Sequence, residues 1–240
     1  MSQHPQLPII YVSGLDRRAF LRPYLERELP EYEIVDAIED KPADYAVMLS
    51  DTDIYDMASA ADATAVTEDD PIVPDSTSAL EESRFAAETA ALGLAPTILR
   101  LPHIVATGMD GFMMRLAGAV SRGSFMHISG NDARLSVVHG VDVAQAVRLT
   151  LGAGMTFNVT DGASPSLHDI AEALAFRLGH KRIFSIKAAW APWIYSRKLR
   201  RLYTTTRLFS MEKLRSYAPA LISHPVTEYL HSHIYDDESL

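Results

Sequence analysis

The sequence contains no cysteine among its 240 residues. Disulfide cross-links, cysteine-ligated zinc and thiol chemistry are therefore excluded. Long apolar runs are also missing, because no stretch approaches the roughly 20 residues that a membrane-spanning helix needs. Residues 1–8 have no basic segment followed by an apolar one. We therefore expect no signal peptide, no transmembrane segment and a cytoplasmic location.

Basic residues are in short supply, with 22 Lys and Arg against 31 Asp and Glu and a net charge of −9. An acidic total disfavours nonspecific binding to nucleic acid, so we expect no such partner. The charge is unevenly spread: residues 36–82 hold fourteen acidic side chains and one basic one, whereas residues 197–215 hold seven basic and one acidic. The 48% of hydrophobic residues suffices for one core and a small second lobe.

Hydrophobic patterning predicts an α/β protein. It predicts strands over residues 7–13, 31–36, 45–50, 97–101 and 156–160, and helices over 16–29, 79–92, 111–121, 141–151 and 167–178, with Ser166 as the cap of the last helix. The final third is expected to be helical or irregular. The link 37–44 is too short for the crossover that joins neighbouring parallel strands. Strand 31–36 should therefore pair antiparallel with strand 45–50, or the link should pass the sheet end without a helix.

Six short motifs then follow one another between Ala46 and Gly179. They are Leu49-Ser50-Asp51-Thr52-Asp53-Ile54-Tyr55, Thr67-Glu68-Asp69-Asp70-Pro71, the segment 80–88, Ile98-Leu99-Arg100-Leu101-Pro102, the segment 134–144 and Phe157-Asn158-Val159. Their order resembles that of the extended short-chain dehydrogenase/reductases, in the NAD-dependent epimerase/dehydratase branch. The resemblance implies a reduced Rossmann-like, doubly wound sheet with a small C-terminal lobe. The core would comprise residues 1–102 plus 136–160, and the lobe residues 103–135 plus 161–240.

The cofactor loop of that family, Gly-x-x-Gly-x-x-Gly, is altered here. The corresponding residues are Gly14, Arg17 and Phe20, and the two large side chains would fill space that a pyrophosphate and a close helix–sheet contact require. The residues left as cofactor-binding candidates are Gly14, Arg17 and, for the ribose, Asp36. An alternative is that the helix holds another anion through its arginines, Arg17, Arg18 and Arg22.

The catalytic positions of the family are altered as well. Its tyrosine and lysine places hold Leu80 and Arg84, and its Ser/Thr place holds Asp51. Leucine transfers no proton, and arginine differs from lysine in both geometry and pKa. No Tyr-x-x-x-Lys occurs anywhere in the sequence. We therefore expect no catalytic residue of the standard mechanism.

Other residues are candidates for binding. Arg100, Arg134 and His103 match positions near the family's substrate cleft, although a structural role for both arginines is the stronger expectation. Asp142 is expected to cap the helix that it opens. Three histidines near the C-terminus invite a metal hypothesis, but they lack a third rigidly spaced ligand, so we expect no metal at His224, His231 and His233.

The aromatic and basic stretch from Trp190 to Arg201 leaves four possibilities open: an anionic membrane surface, a phosphorylated ligand, a helix that recruits a partner, and the lobe that covers the cleft. The lobe is the stronger expectation. For the whole chain we expect a module that binds a small ligand or a protein partner, without a cofactor. The alternative is a nucleotide-sugar epimerase or reductase that uses NAD or NADP through an atypical loop. A purely structural subunit and a homodimer also stay open.

Overall fold

The computed structural model describes residues 7–37, 42–56, 65–131, 133–179 and 182–232. Its strands are β1 (Ile9–Ser13), β2 (Glu33–Val35), β3 (Tyr45–Asp51), β4 (Pro96–Leu101), β5 (His103–Val105), β6 (Met126–Ile128), β7 (Val137–His139), β8 (Thr156–Asn158) and β9 (Phe184–Ile186). Its α-helices are α1 (Arg22–Glu28), α2 (Thr77–Ala91), α3 (Gly111–Ser121), α4 (Gly140–Leu149), α5 (Leu167–Arg177), α6 (Ala191–Ile194), α7 (Arg197–Thr204), α8 (Glu212–Tyr217) and α9 (Val226–His231). Within those described ranges, no helix is long and apolar enough to cross a membrane.

The central sheet has five parallel strands in the order β2-β1-β3-β4-β8, which confirms the predicted Rossmann-like α/β fold. The predicted alternative of antiparallel pairing between strands 31–36 and 45–50 is wrong, because β1 lies between β2 and β3 and pairs with both. The link 36–44 can reach up to about 30 Å. Val35 and Tyr45 pair with adjacent residues of β1, Tyr11 and Ile10, so that reach is enough to join β2 to β3.

The two faces of this sheet are covered by different helices. Strand residues alternate between faces, so Ile10 and Val12 join the core under α1, α4 and α8, whereas Tyr11 packs with Phe85 of α2 on the other side. A second apolar core lies among α3, β6, α5 and α9. The assignment of residues to a core and a lobe stays a prediction.

Three local predictions need correction. Residues 16–29 do not form one helix: a 3-10 helix over Asp16–Leu21 precedes α1, because Arg18 leaves the helical region with φ −126° and ψ 43°. The last third contains a strand, β9, which pairs parallel with β6. Asp142 does not cap α4, because His139 is the cap and its Nδ1 accepts from the Val141 N–H at 3.3 Å.

The predicted cap at the start of α5 is confirmed. Ser166 Oγ accepts a hydrogen bond from the Asp169 N–H at 3.1 Å, and the Asp169 carboxylate accepts one from the Ser166 N–H at 3.0 Å. This reciprocal pair satisfies two amide donors that the first turn of a helix otherwise leaves unpaired.

Candidate functional site

The order of the strands changes direction between β1 and β3: β2 lies on one side of β1, and β3, β4 and β8 follow on the other. Open α/β sheets bind ligands beside such a switch point, at the carboxyl ends of the strands. Here that place is filled by a buried arginine. The Arg18 guanidinium donates to the Leu49 carbonyl at 2.8 Å and forms an ion pair with Asp51. Gly14, at φ +83°, faces the same carbonyl, and a Cβ added there would lie 2.6 Å from the Leu49 oxygen. Backbone and guanidinium therefore occupy the crevice together.

The other predicted cofactor residues point elsewhere. Arg17 is half exposed and pairs with Glu81 at 2.6 Å. Asp36 accepts from Arg22 at 3.0 Å beyond the end of β2. Each of the three loop arginines, Arg17, Arg18 and Arg22, therefore already has a carboxylate partner. The structure does not gather them around one place where an external anion could sit.

A cavity of about 250 Å³ opens at the carboxyl ends of β3 and β4. It is lined by Asp51, Thr52, Asp53, Leu101, Pro102, His103, Ser136, Arg207 and Phe209. The fold thus brings together two residues singled out from the sequence, Asp51 and His103. The volume is slightly below the roughly 300 Å³ at which small-molecule sites usually begin, so it suits a group the size of a sugar rather than a whole dinucleotide.

The cavity is lined by two acidic side chains, one arginine and one neutral histidine ring. Burial, with the nearby Arg207 and Arg115, lowers the pKa of His103 to about 4, so its imidazole is uncharged near neutral pH. A neutral imidazole offers one donor and one acceptor. Asp53 already accepts from Ser78 at 2.6 Å, which fixes its carboxylate at the wall.

Arg207 is the cation of this cavity. Its buried Nε makes no hydrogen bond within the described part of the chain. Its backbone is fixed against the segment 134–136, since its N–H donates to the Arg134 carbonyl and its carbonyl accepts from the Ser136 N–H, each at 2.8 Å. A buried donor without a partner is unusual in a native fold and marks a place where a ligand oxygen could bind.

Arg100 lies in a buried polar network rather than in the cavity. It donates to both carboxylate oxygens of Glu82, at 3.0 and 2.8 Å, and to the Tyr55 hydroxyl at 2.9 Å. Ser50 adds a third bond to Glu82 at 2.6 Å, and Tyr55 donates to Asn158 at 2.7 Å. Burial raises the pKa of Tyr55, which keeps this phenol protonated. The network joins α2 to the strands beneath it and engages all three guanidinium nitrogens of Arg100.

The remaining predicted positions lie on the surface. Leu80 and Arg84 are both exposed on α2, and neither lines the cavity. Arg134 is exposed, and its Nε donates to the Ser164 carbonyl at 2.8 Å, so it holds the loop that precedes α5. The predicted substrate residues are therefore separated in space, with His103 alone at the cavity.

The histidines considered for a metal have other partners. His224 Nδ1 lies 2.5 Å from the buried carboxylate of Asp142, and burial raises the pKa of that carboxyl group. His231 Nδ1 contacts the Thr227 carbonyl at 2.6 Å. His233 lies outside the described residues. Over the described residues, no cluster of three potential metal ligands occurs.

Sequence reasoning missed the roles of two arginines. Arg18 was considered only as one of three surface cations, and its bend at φ −126° depends on packing that the sequence does not reveal. Arg207 comes more than 100 residues after the strands whose ends it faces. The available signal was the run of basic residues from 197 to 215, which indicates a charged surface but not which member enters the cavity.

The fold has many counterparts among solved structures. A protein named RMD from Pseudomonas aeruginosa, complexed with NADPH, aligns with a TM-score of 0.67 at 14% identity, covering 98% of this chain and 99% of that one. The UDP-N-acetylglucosamine 4-epimerase of Bacillus cereus aligns with 0.64 at 14% identity, covering 93% and 98%. The dTDP-glucose 4,6-dehydratase of Bacillus anthracis, in complex with NAD, aligns with 0.62 at 11% identity, covering 97% of each chain.

No family model and no curated protein matches the sequence. At these identities the structural likeness shows the fold alone. It is the fold of NAD-dependent epimerase/dehydratase structures, as the order of the sequence motifs predicted.

Proposed function

We propose that this chain is a divergent member of the epimerase/dehydratase fold that binds a small polar ligand in the cavity at the ends of β3 and β4, without the standard dehydrogenase or epimerase chemistry. The observation that carries the proposal is Arg18, whose side chain is 8% exposed and occupies the switch-point crevice beside Gly14. A dinucleotide would have to displace this guanidinium before its pyrophosphate could approach the backbone.

The helix geometry supports the same conclusion. A pyrophosphate is held by free amides at the start of the helix that follows β1. Here a 3-10 helix with a non-helical residue at Arg18 stands in that place, and α1 begins only at Arg22, with Pro23 in its first turn. Proline has no N–H, so the first turn offers one donor fewer to a phosphate.

This chain also lacks the tyrosine that transfers the proton in the standard mechanism of the epimerase/dehydratase family. Leu80 stands at the tyrosine place on an exposed face of α2. Tyr55, the tyrosine of the motif that begins at Leu49, is hydrogen-bonded to Arg100 at 2.9 Å and to Asn158 at 2.7 Å. A phenol that is buried and doubly hydrogen-bonded, with its pKa raised, is not poised to exchange protons with a substrate.

The cavity itself favours a ligand that carries hydroxyl groups and a negative charge. Asp51 and Asp53 accept hydrogen bonds from hydroxyls, the neutral His103 ring can donate or accept, and Arg207 offers an unpartnered donor to an anionic oxygen. A sugar attached to a phosphate has this combination. Nucleotide sugars are therefore the first ligands to test, with the sugar in the cavity.

The test is calorimetric titration of the purified chain with NAD, NADPH, UDP-glucose and dTDP-glucose. We expect saturable binding of a nucleotide sugar and none of either dinucleotide. The R207Q variant should lose about tenfold or more in affinity, because a hydrogen bond to a charged group contributes about 1.5–3 kcal/mol. The matched control R27Q removes an exposed arginine on α1 and should bind as the wild type does.

Two results would decide against the proposal. Saturable NADPH binding by the wild-type chain would favour the cofactor-dependent enzyme instead. Unchanged affinity in R207Q would show that the ligand lies elsewhere. The R18A variant separates two accounts of the crevice, since a gain of NADPH binding in R18A alone identifies Arg18 as the obstruction.

A further inference from the structure

Both tryptophans of the chain project from one short segment of the lobe. Trp190 ends a 3-10 helix over Ala188–Trp190 and is 65% exposed, and Trp193 on α6 is 90% exposed. Ile194 and Phe184 on β9 are also exposed. Large aromatic side chains normally bury most of their surface, so four apolar side chains directed at solvent on adjacent elements point to a surface that is covered by something else.

The segment is held rigidly, so the exposure is built into the fold. The Tyr195 hydroxyl donates to the Met126 carbonyl and accepts from the Met126 N–H, both at 2.7 Å. Met126 is the register partner of Phe184 in the β6–β9 pair. Ala191 and Tyr195 are buried in the second core, whereas Trp193 between them faces outward. The inner residues of α6 therefore anchor it, while Trp193 and Ile194 on its outer side are exposed in the described part of the chain.

Positive charge adjoins these aromatic residues. Helix α7 packs against α6 and carries Arg197, Lys198, Arg200 and Arg201. No ion pair joins any of the four to a described carboxylate. The inner face of α7 is again anchored, by Tyr203 in the second core. Three of these cations line a depression of about 590 Å³ together with Leu202 and Arg207.

We infer that this surface, formed by Phe184, Trp190, Trp193, Ile194 and the cations of α7, binds the headgroup region of an anionic membrane. Tryptophan prefers the boundary between headgroups and hydrocarbon, and lysine and arginine beside it are attracted to anionic lipid. The whole chain has a net charge of −9 even with these four cations included, so its remainder is more acidic still. An anionic bilayer would therefore attract this face and repel the others, which fixes the orientation of the bound protein.

A protein partner fits this surface less well. Arginine and tryptophan are also common in protein–protein interfaces, but four adjacent cations that pair with no described carboxylate, beside protruding tryptophans, are typical of peripheral membrane attachment. The surface is also distinct from the ligand cavity at β3 and β4, which it adjoins only through Arg207. Its test therefore does not depend on whether the cavity binds a nucleotide sugar.

The experiment uses the two tryptophans as the probe, since they report on this surface alone. The full chain is titrated with two kinds of vesicle. One contains phosphatidylcholine with about 30% phosphatidylglycerol, to supply the negative surface charge of an anionic leaflet. The other contains phosphatidylcholine only. We expect a blue shift of the tryptophan emission and co-sedimentation with the anionic vesicles only. High salt should release the protein, because charge attraction to the surface is screened within a Debye length.

Variants locate the contact. R201E should weaken partitioning by more than about tenfold, since each basic residue near the surface contributes about fivefold and the substitution also adds a repulsive charge. R27E, which makes the same charge change on α1, should bind as the wild type does. W193A should reduce binding with no loss of thermal stability, because the side chain is 90% exposed.

Three outcomes would overturn the inference. The first is no co-sedimentation with anionic vesicles, and the second is equal binding to neutral ones. The third is a blue shift without lipid that grows with protein concentration or appears with inorganic pyrophosphate. Those last results would assign the surface to a second copy of the chain or to a small soluble anion.

Discussion

The buried pair Arg100–Glu82 gives the sharpest test of how this fold is held together. The two side chains are 8% and 9% exposed, and they share two hydrogen bonds of 3.0 and 2.8 Å. We consider the variants R100M and E82L and the double variant that combines them. Each single variant leaves one full charge buried without its partner, whereas the double variant leaves none.

The magnitudes follow from burial. Removing one member of a buried ion pair lowers the free energy of unfolding by about 3–5 kcal/mol, because the remaining charge is neither solvated nor paired. For a chain of this size that corresponds to a fall in Tm of roughly 6–20 °C. The double variant should lose only about 1–3 kcal/mol, mainly because the Ser50 and Tyr55 hydroxyls each lose one partner. The coupling energy should therefore exceed about 2 kcal/mol.

The assay is urea unfolding of the four proteins, followed by circular dichroism. The control is the neighbouring exposed pair Arg17–Glu81, whose side chains are 46% and 31% exposed. E81L should change the free energy of unfolding by less than about 1 kcal/mol. A double variant as unstable as the sum of the singles would refute the reasoning, as would R100M losing ligand binding while keeping its stability.

Three further predictions concern local features. The pKa of His103 is about 4 in the folded protein and near 6.5 when unfolded, so the unfolded chain binds more protons between these values and stability should fall as the pH drops from 6.5 towards 4. H103Q should flatten that dependence in pH-resolved thermal melts, and an unchanged slope would contradict it. Gly14 has φ +83°, and a Cβ added there would lie 2.6 Å from the Leu49 carbonyl oxygen, whereas Gly93 has φ +72° in open space. G14A should therefore lose clearly more stability than G93A. Equal losses would mean that the close approach is unimportant. S166A should lower the free energy of unfolding by about 1 kcal/mol through its cap, and S83A in the exposed middle of α2 should not.

Much of the architecture could be predicted because it depends on local properties of the chain. Strands β1, β3 and β4 are uninterrupted apolar runs, and α2, α3 and α5 have the apolar spacing and flanking residues of helices. The cap at Ser166 needs only residues three apart. Secondary structure at these places is decided within one or two turns of chain, so the sequence alone specifies it. The order of motifs was then enough to predict the fold.

The site depended on contacts that no local pattern encodes. The sequence presents Arg18 as a surface cation, but a bend in the backbone brings its guanidinium to the Leu49 carbonyl, and Asp36, the predicted ribose ligand, accepts a hydrogen bond from Arg22. Arg100 resembled a cleft residue, but its carboxylate partner lies eighteen positions earlier on a helix that packs over the sheet.

The sequence by itself determined which segments are strands and helices, and that two of the three glycines, the tyrosine and the lysine of the epimerase/dehydratase motifs are replaced. Only the tertiary structure decided that β1 lies between β2 and β3, that an arginine fills the vacated crevice, and that Arg207 faces Asp51 and His103. The physical reason is that a charge or a hydrogen-bond donor chooses its partner by distance and burial. Both are set by how distant segments pack.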